Sequence, residues 1–227
     1  SDVYKRQVVN IAHDEYYSIG LCDKCRHREA ADIYAGDINK IYDYLKERGI
    51  KTMMWGDKII NAISREGIHY GGSLIEYQDA EGNAYTVPAT YQSIDKIPKD
   101  ILILNWYWRI KREFDEAYLR RGFDVMYANF RPMQIYDYKE RMDGRISGYC
   151  ISNWSSLDPA HIQRNGIFVS IAYAAHMFWD HEFDENDFAN NFISTAKSIY
   201  RYHYEIAQRR QYAHIVHTST TVRPHKE

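Results

Sequence analysis

The sequence predicts an α/β fold, a partial (β/α)8 TIM barrel with parallel strands and a C-terminal helix, its N-terminal strands missing. Three observations lead there. Short β-branched or apolar runs alternate with stretches of helical period, as in chains of strand–helix units with a parallel sheet. Polar and aromatic residues gather where each run ends: Asp14-Glu15, Asp57, Asn105, Asn129 and Asn153-Trp154. Chemistry collected at the carboxyl ends of several parallel strands is the layout of a barrel's active face. No Gly-rich phosphate loop follows any strand, so a nucleotide-binding doubly wound sheet loses its usual support.

Taken in order, "QVVNIA" (7–12) is the first strand. Residues 28–49 follow with Ile33, Ile38, Ile41, Tyr42 and Leu45 near helical spacing and Gly49 as the stop. Residues 50–56 read as a strand and 57–67 as a short helix. Gly and Pro punctuate 70–98, a loop with a hairpin around Glu81-Gly82-Asn83. Strands at 100–108, 123–130 and 145–154 alternate with helices at 111–122 and 135–144. A long helix over 158–179 has Asp158 as N-cap, Pro159 in its first turn and a weak point at Gly166. A last helix covers 185–210. Five strands are not eight, and a complete barrel needs roughly 250 residues. The opening "SDVYKRQ", without Met, reads as the middle of something. The expectation is a C-terminal barrel portion over 1–210 and a frayed tail over 211–227.

Composition excludes more than it assigns. A net charge of -2 without a basic block argues against nucleic acid, and the longest apolar stretch, around 166–179, is too short and interrupted for a bilayer. Three cysteines lean towards a reducing compartment such as the cytoplasm. Twenty-one tyrosines and five tryptophans are many for this length. Most serve the core, but such residues also line sugar and peptide clefts.

Adjacent carboxylates at a strand end, in a partly desolvated aromatic pocket, repel as anions, so that one proton tends to stay. A protonated acid beside a charged stabiliser is what glycoside cleavage requires. The ends of the third, fourth and fifth strands offer no carboxylate as nucleophile, and Asp57, on the next strand, is the one candidate. That favours a route in which the substrate's own 2-acetamido oxygen attacks.

With these residues in view, the chain resembles the C-terminal part of the catalytic barrel of glycoside hydrolase family 20, the β-N-acetylhexosaminidases. That family ends its fourth strand in His-x-Gly-Gly-Asp-Glu; here the stretch is "NIAHDE" (10–15). The resemblance implies Glu15 as general acid/base and Asp14 as the group that orients and stabilises the acetamide. "MMWGDKI" (53–59), "ILILNWYW" (101–108), "DVMYAN" (124–129) and "GYCISNW" (148–154) resemble the fifth to eighth strands. By that likeness Trp55, Trp106 and Trp154 wall the sugar, and Tyr127 donates to the acetamide oxygen. Asn129 and Asp57 complete the expected substrate-binding set. The departures are Asn10 for the family's His, Ala12 and His13 for its two glycines, Asn129 for an acidic residue and Ser156 for a Glu. Losing the last two carboxylates implies altered recognition of the outer sugar hydroxyls. A non-catalytic carbohydrate-binding relative and a different barrel glycosidase, with Asp57 as base, are the alternatives. The expected partner is a carbohydrate, with no cofactor, no metal, no nucleic acid and no membrane. The open first strand would be an aggregation liability unless an oligomer covers it.

"CDKCRH" (22–27) is a Cys-x-x-Cys with His27 close by. With His13 or Cys150 it could complete a tetrahedral zinc site, but a single Cys pair reads first as two reduced thiols in the loop after the first strand. A thioredoxin-like redox role has still less support, because the motif does not open a helix in the expected context.

Overall fold

A computed structural model describes residues 7–142 and 144–201; the tail expected at 211–227 and the end of the last helix lie outside them. The described residues group into two compact units. One runs to Phe130 and resumes over Lys139–Ser152, and the other joins Arg131–Tyr138 to the chain from Asn153 onward.

The first unit begins with β1 (Val8–Asn10), α1 (Ala30–Lys46) and β2 (Lys51–Trp55). Two antiparallel hairpins come next, β3 (Asn61–Ile63) with β4 (His69–Gly71) and β5 (Ile75–Gln78) with β6 (Ala84–Val87). Then come β7 (Leu102–Asn105), α2 (Glu113–Leu119), β8 (Val125–Tyr127), the single turn α3 (Tyr138–Arg141), whose first residue is assigned to the second unit, and β9 (Ile146–Tyr149). The second unit holds α4 (Pro159–Arg164), α5 (Ile167–Trp179) and α6, helical over 188–201.

β1, β2, β7, β8 and β9 form one sheet in that order, with every pairing parallel. The five strands expected from the sequence are these five. β1 and β9 are its edges, so among the described residues the sheet is open and no closed barrel forms. It is a mixed α/β arrangement of partial-barrel type.

Alternation along the strands sorts the side chains onto two faces. Met54, Ile103 and Val125 stand in register and are fully buried, each worth roughly 1.5–3 kcal/mol of apolar burial. α2 covers this face, since its Tyr118 hydroxyl donates to Gly56 O at 2.9 Å. On the other face Met53, Trp55, Leu102 and Met126 are only half-buried. α1 buries a stripe at helical spacing, with Ala31, Tyr34, Ile38, Tyr42 and Leu45 inward.

Some elements differ from expectation. The helix expected at 57–67 is a 3-10 turn at Asp57–Ile59 followed by β3. Its β-branched Ile59, Ile60 and Ile63 favour an extended chain, and Ser64 Oγ accepts from the amides of Glu66 and Ile68 to make a turn instead. The helix over 158–179 breaks at Gly166, whose φ is 68°. Asp158 does cap it, accepting from Ala160 N–H at 2.9 Å. The 135–144 helix contracts to α3, and the 145–154 strand to β9. The hairpin turn at 79–83 stands as expected, between β5 and β6.

One close approach positions everything at the carboxyl end of β2. A Cβ at Gly56 would lie 2.5 Å from Ile103 Cγ2 and 2.7 Å from the Tyr118 hydroxyl. Gly56→Ala is expected to cost about 1–3 kcal/mol by overpacking, read as a lower urea midpoint; an unchanged midpoint would show that α2 is not held against β2.

Candidate active site

Beyond Asn10 the chain leaves β1 in an uncommon conformation. Ala12, His13 and Glu15 have φ of 62°, 70° and 45°. Left-handed backbone costs a residue other than glycine about 1–2 kcal/mol. Ala12 and His13 thus follow a path that glycine would adopt at no such cost.

Hydrogen bonds hold that path. Ile11 N–H donates to Met53 O at 2.9 Å, and Trp55 N–H to Ala12 O at 3.0 Å. Ala12 N–H donates to Asn10 Oδ1 at 2.9 Å. The His13 ring bridges Ile11 O, 2.8 Å from Nδ1, and Asp37 Oδ2, 3.0 Å from Nε2. Tyr34 donates its hydroxyl to His13 O and meets the imidazole edge-on at 5.6 Å. Last, Glu15 N–H donates to Asp57 Oδ2 at 3.1 Å. Asp14 is then half-buried and Glu15 exposed, and among the described residues neither carboxylate is engaged through its side chain by an ion pair or hydrogen bond. Both remain available to a ligand.

Asp57 is the opposite case. It is 1% exposed, and burial pushes its carboxyl from the usual 3.8 up to about 6, with the Glu15 amide, Trp106 and Lys58 drawing it back. The Trp106 indole acts on it, though among the described residues Asp57 Oδ1 and Trp106 Nε1 are both buried without a hydrogen-bond partner. Lys58, fully buried, donates from Nζ to Gly71 O at 2.7 Å. Burial lowers its ammonium from the ordinary value, and Asp57 offsets part of that.

Tyrosines close round this group. Tyr17 stacks on Tyr77 of β5 at 5.5 Å; burial, then the charges of Glu15 and Asp57, push its phenol up to about 12. Burial and the Asp57 charge raise Tyr107 as well. The structure thus gathers Asp14, Glu15, Asp57 and Trp106, with Trp55 ending the strand that leads into Asp57. Sequence reasoning passed over Tyr17, Tyr34 and Tyr107. The pair Tyr16-Tyr17 directly after the carboxylates was the available signal.

Tyr127 is fully buried on the helix-covered face and donates its hydroxyl to Asp115 Oδ2 at 2.6 Å. Asp115 also accepts from Asn105 Nδ2 at 2.7 Å and pairs with Arg141 at 3.3 Å. In this conformation the Tyr127 hydroxyl serves a core network that sequence reasoning did not foresee. Asn129 follows β8 at φ 48° and is half-buried. Trp154 belongs to the second unit, with 73% of its surface exposed. A hollow of about 480 Å³, lined by Val8, Lys51, Asp100, Asp124 and Ser147 among others, opens at the amino ends of the strands. That is the end remote from the carboxylates.

Comparison with solved structures bears on the fold. The chain is similar to the β-N-acetylhexosaminidase from Bacteroides fragilis NCTC 9343, with a TM-score of 0.55 and 17% identity over 86% of this chain and 41% of that one. Dispersin B matches with a TM-score of 0.32 and 18% identity, over 70% of this chain and 49% of that chain. No family model matches, and no curated protein matches by sequence. The chain spans about two fifths of the Bacteroides structure, and at this identity the likeness is one of fold. Among the described residues no helix is long and apolar enough to cross a membrane.

The buried carboxyl sets a pH dependence with a definite sign. Between its ordinary 3.8 and its folded value of about 6, Asp57 is protonated in the fold and ionised in the unfolded chain. Stability therefore falls as pH rises through that window and levels off above it, a loss of about 3 kcal/mol. Asp57→Asn keeps an acceptor for Glu15 N–H and removes the buried charge. It is expected to unfold at higher urea than the parent at about pH 7.5, an advantage absent at about pH 4. A variant with no pH-dependent gain would mean that Asp57 is not buried as a charge.

Proposed function

We propose that this chain forms the acid-bearing part of a retaining, substrate-assisted glycosidase of the β-N-acetylhexosaminidase type, acting on terminal N-acetylhexosamine. The observation that carries the reading is the placing of Asp14 and Glu15. They are two adjacent carboxylates, unengaged through their side chains among the described residues, just past the carboxyl end of a parallel strand and braced from the end of the next strand.

In this reading Glu15, the more exposed of the two, protonates the leaving glycosidic oxygen as the bond breaks. The substrate's acetamide oxygen attacks the anomeric carbon, and Asp14 orients the amide and balances the positive charge of the cyclic ion. Glu15, now ionised, takes a proton from the water that reopens the ring. No electron transfer is involved and no cofactor is needed. Trp55 and Trp106 supply sugar-facing walls at the ends of β2 and β7. Tyr127 can reach an acetamide oxygen only by leaving Asp115, and Trp154 remains an expectation from the resemblance alone.

Burial also separates this scheme from that of a barrel glycosidase with Asp57 as its base. A carboxyl 1% exposed behind the Glu15 amide does not meet a nucleophilic water, whereas it is well placed as a brace. Asn129 and Ser156, where the resembling family carries carboxylates, fit altered recognition of the outer hydroxyls.

Glu15→Gln is expected to lower kcat on an alkyl or saccharide N-acetylhexosaminide by about 10²–10⁴-fold. The loss should shrink on a nitrophenyl glycoside, whose leaving group needs little protonation. Equal losses on both substrates, or none, would contradict Glu15 as the acid. An active parent on unactivated substrate would separate the enzyme from a sugar-binding relative.

A further inference from the structure

The segment between Glu15 and α1 carries a second reactive group, one that the glycosidase chemistry does not use. Cys22 and Cys25 are both free thiols, Cys22 exposed and Cys25 half-buried. Cys25 N–H and Arg26 N–H each donate to Cys22 O at 2.9 Å, and Arg28 N–H donates to Cys25 O at 2.9 Å. The chain therefore reverses tightly at this point. An i to i+3 turn brings its end Cα atoms within about 7 Å, and a disulfide spans about 4.4–6.8 Å between Cα atoms. Asp23 and Arg26 form an ion pair across the same turn, and the cations Arg28 and Lys24 act on Cys25.

We propose that Cys22 and Cys25 form a thiol–disulfide exchange site that takes low-molecular-weight disulfides and closes reversibly into an intramolecular disulfide. Cys22 is the attacking sulfur: it is the more exposed, and a hydrogen bond from the Cys25 thiol lowers it from the usual thiol range. The same interaction raises Cys25, against the pull of Arg28 and Lys24, as suits a resolving thiol. The step balances. The Cys22 thiolate attacks one sulfur of RSSR, its S–S bond breaks, and RS⁻ leaves and takes up a proton. Cys25 then gives up its proton and attacks Cys22 Sγ, expelling a second RSH. Two electrons pass from the protein to the small disulfide, and a dithiol reverses the process.

The Cys-x-x-Cys spacing also raises a tetrahedral zinc site completed by His13 or Cys150. His13 is turned towards Ile11 and Asp37, and among the described residues no three of His, Cys, Asp or Glu are grouped to hold a metal.

The test exposes the reduced chain to glutathione disulfide, alkylates it with iodoacetamide and locates each modification by peptide mass spectrometry. The expected product links Cys22 to Cys25 and leaves Cys150 alkylated, with the pair reacting about tenfold or more faster than Cys150. Cys25→Ser should stall with one glutathione on Cys22, and Cys22→Ser should react more slowly at Cys25. The proposal is overturned if the parent stays fully alkylated under excess glutathione disulfide, or if it accumulates a stable glutathione adduct instead of the Cys22–Cys25 bond. Reaction of Cys22→Ser as fast as Cys25→Ser would likewise overturn it. Both cysteines lie in a surface turn, and a melt of each variant checks that the fold is kept.

Discussion

The hydrogen bond from Glu15 N–H to the buried Asp57 carboxylate is the contact on which the carboxyl end of this sheet depends. β1 is a three-residue strand with one sheet neighbour among the described residues, too short to aim the carboxylates beyond it. Ala12, His13 and Glu15 all have positive φ, so the segment needs outside help to stay where it is. That help comes from the next strand and from α1. Met53 O and Trp55 N–H take up the backbone, Asp57 takes the Glu15 amide, and Asp37 with Tyr34 fixes His13.

The brace has an electrostatic cost, and the tyrosines explain how it is carried. A carboxylate 1% exposed is expensive to ionise, hence the rise to about 6. Around it stand the phenols of Tyr17 and Tyr107. Burial and nearby anions push Tyr17 and Tyr107 upward, which keeps them neutral. One buried acid thus retains a proton more readily than usual, while among the described residues the side chains of Asp14 and Glu15 have no ion-pair or hydrogen-bond partner. From sequence, a retained proton was expected within the adjacent pair Asp14-Glu15; in the structure, burial raises the Asp57 carboxyl.

The five parallel strands were legible in the sequence because each is a short apolar run bounded by Gly, Asn or Asp. Alternation with α1 and α2 then fixed their parallel sense. The stop at Gly49 and the cap at Asp158 were legible for the same local reason. The hairpin β3–β4 was not: "DKIINAIS" satisfies a helical spacing about as well as an extended one. Tertiary partners decided it, with Gly72 N–H donating to Ile60 O at 3.0 Å. In the site, Asp14 and Glu15 were visible as a pair at a strand end, and Trp55, Asp57 and Trp106 by their neighbouring strand ends. Tyr127 illustrates the limit. Its place at the end of β8 follows from sequence, but its face follows from strand parity and from Asp115, a partner twelve residues away on α2. The grouping of the chain into two units, with Trp154 in the second, left no local mark.

The central claim is that Asp14 and Glu15 build an acetamide-recognising site, and the most direct measurement is a thermal melt of this chain with an N-acetylglucosamine-derived thiazoline, a mimic of the cyclised intermediate. A single cooperative transition whose midpoint rises saturably with thiazoline is the predicted result. At about a hundredfold excess over Kd the gain is about 2.7 kcal/mol, and Asp14→Ala should abolish it. A cooperative melt that thiazoline leaves unmoved would contradict the claim.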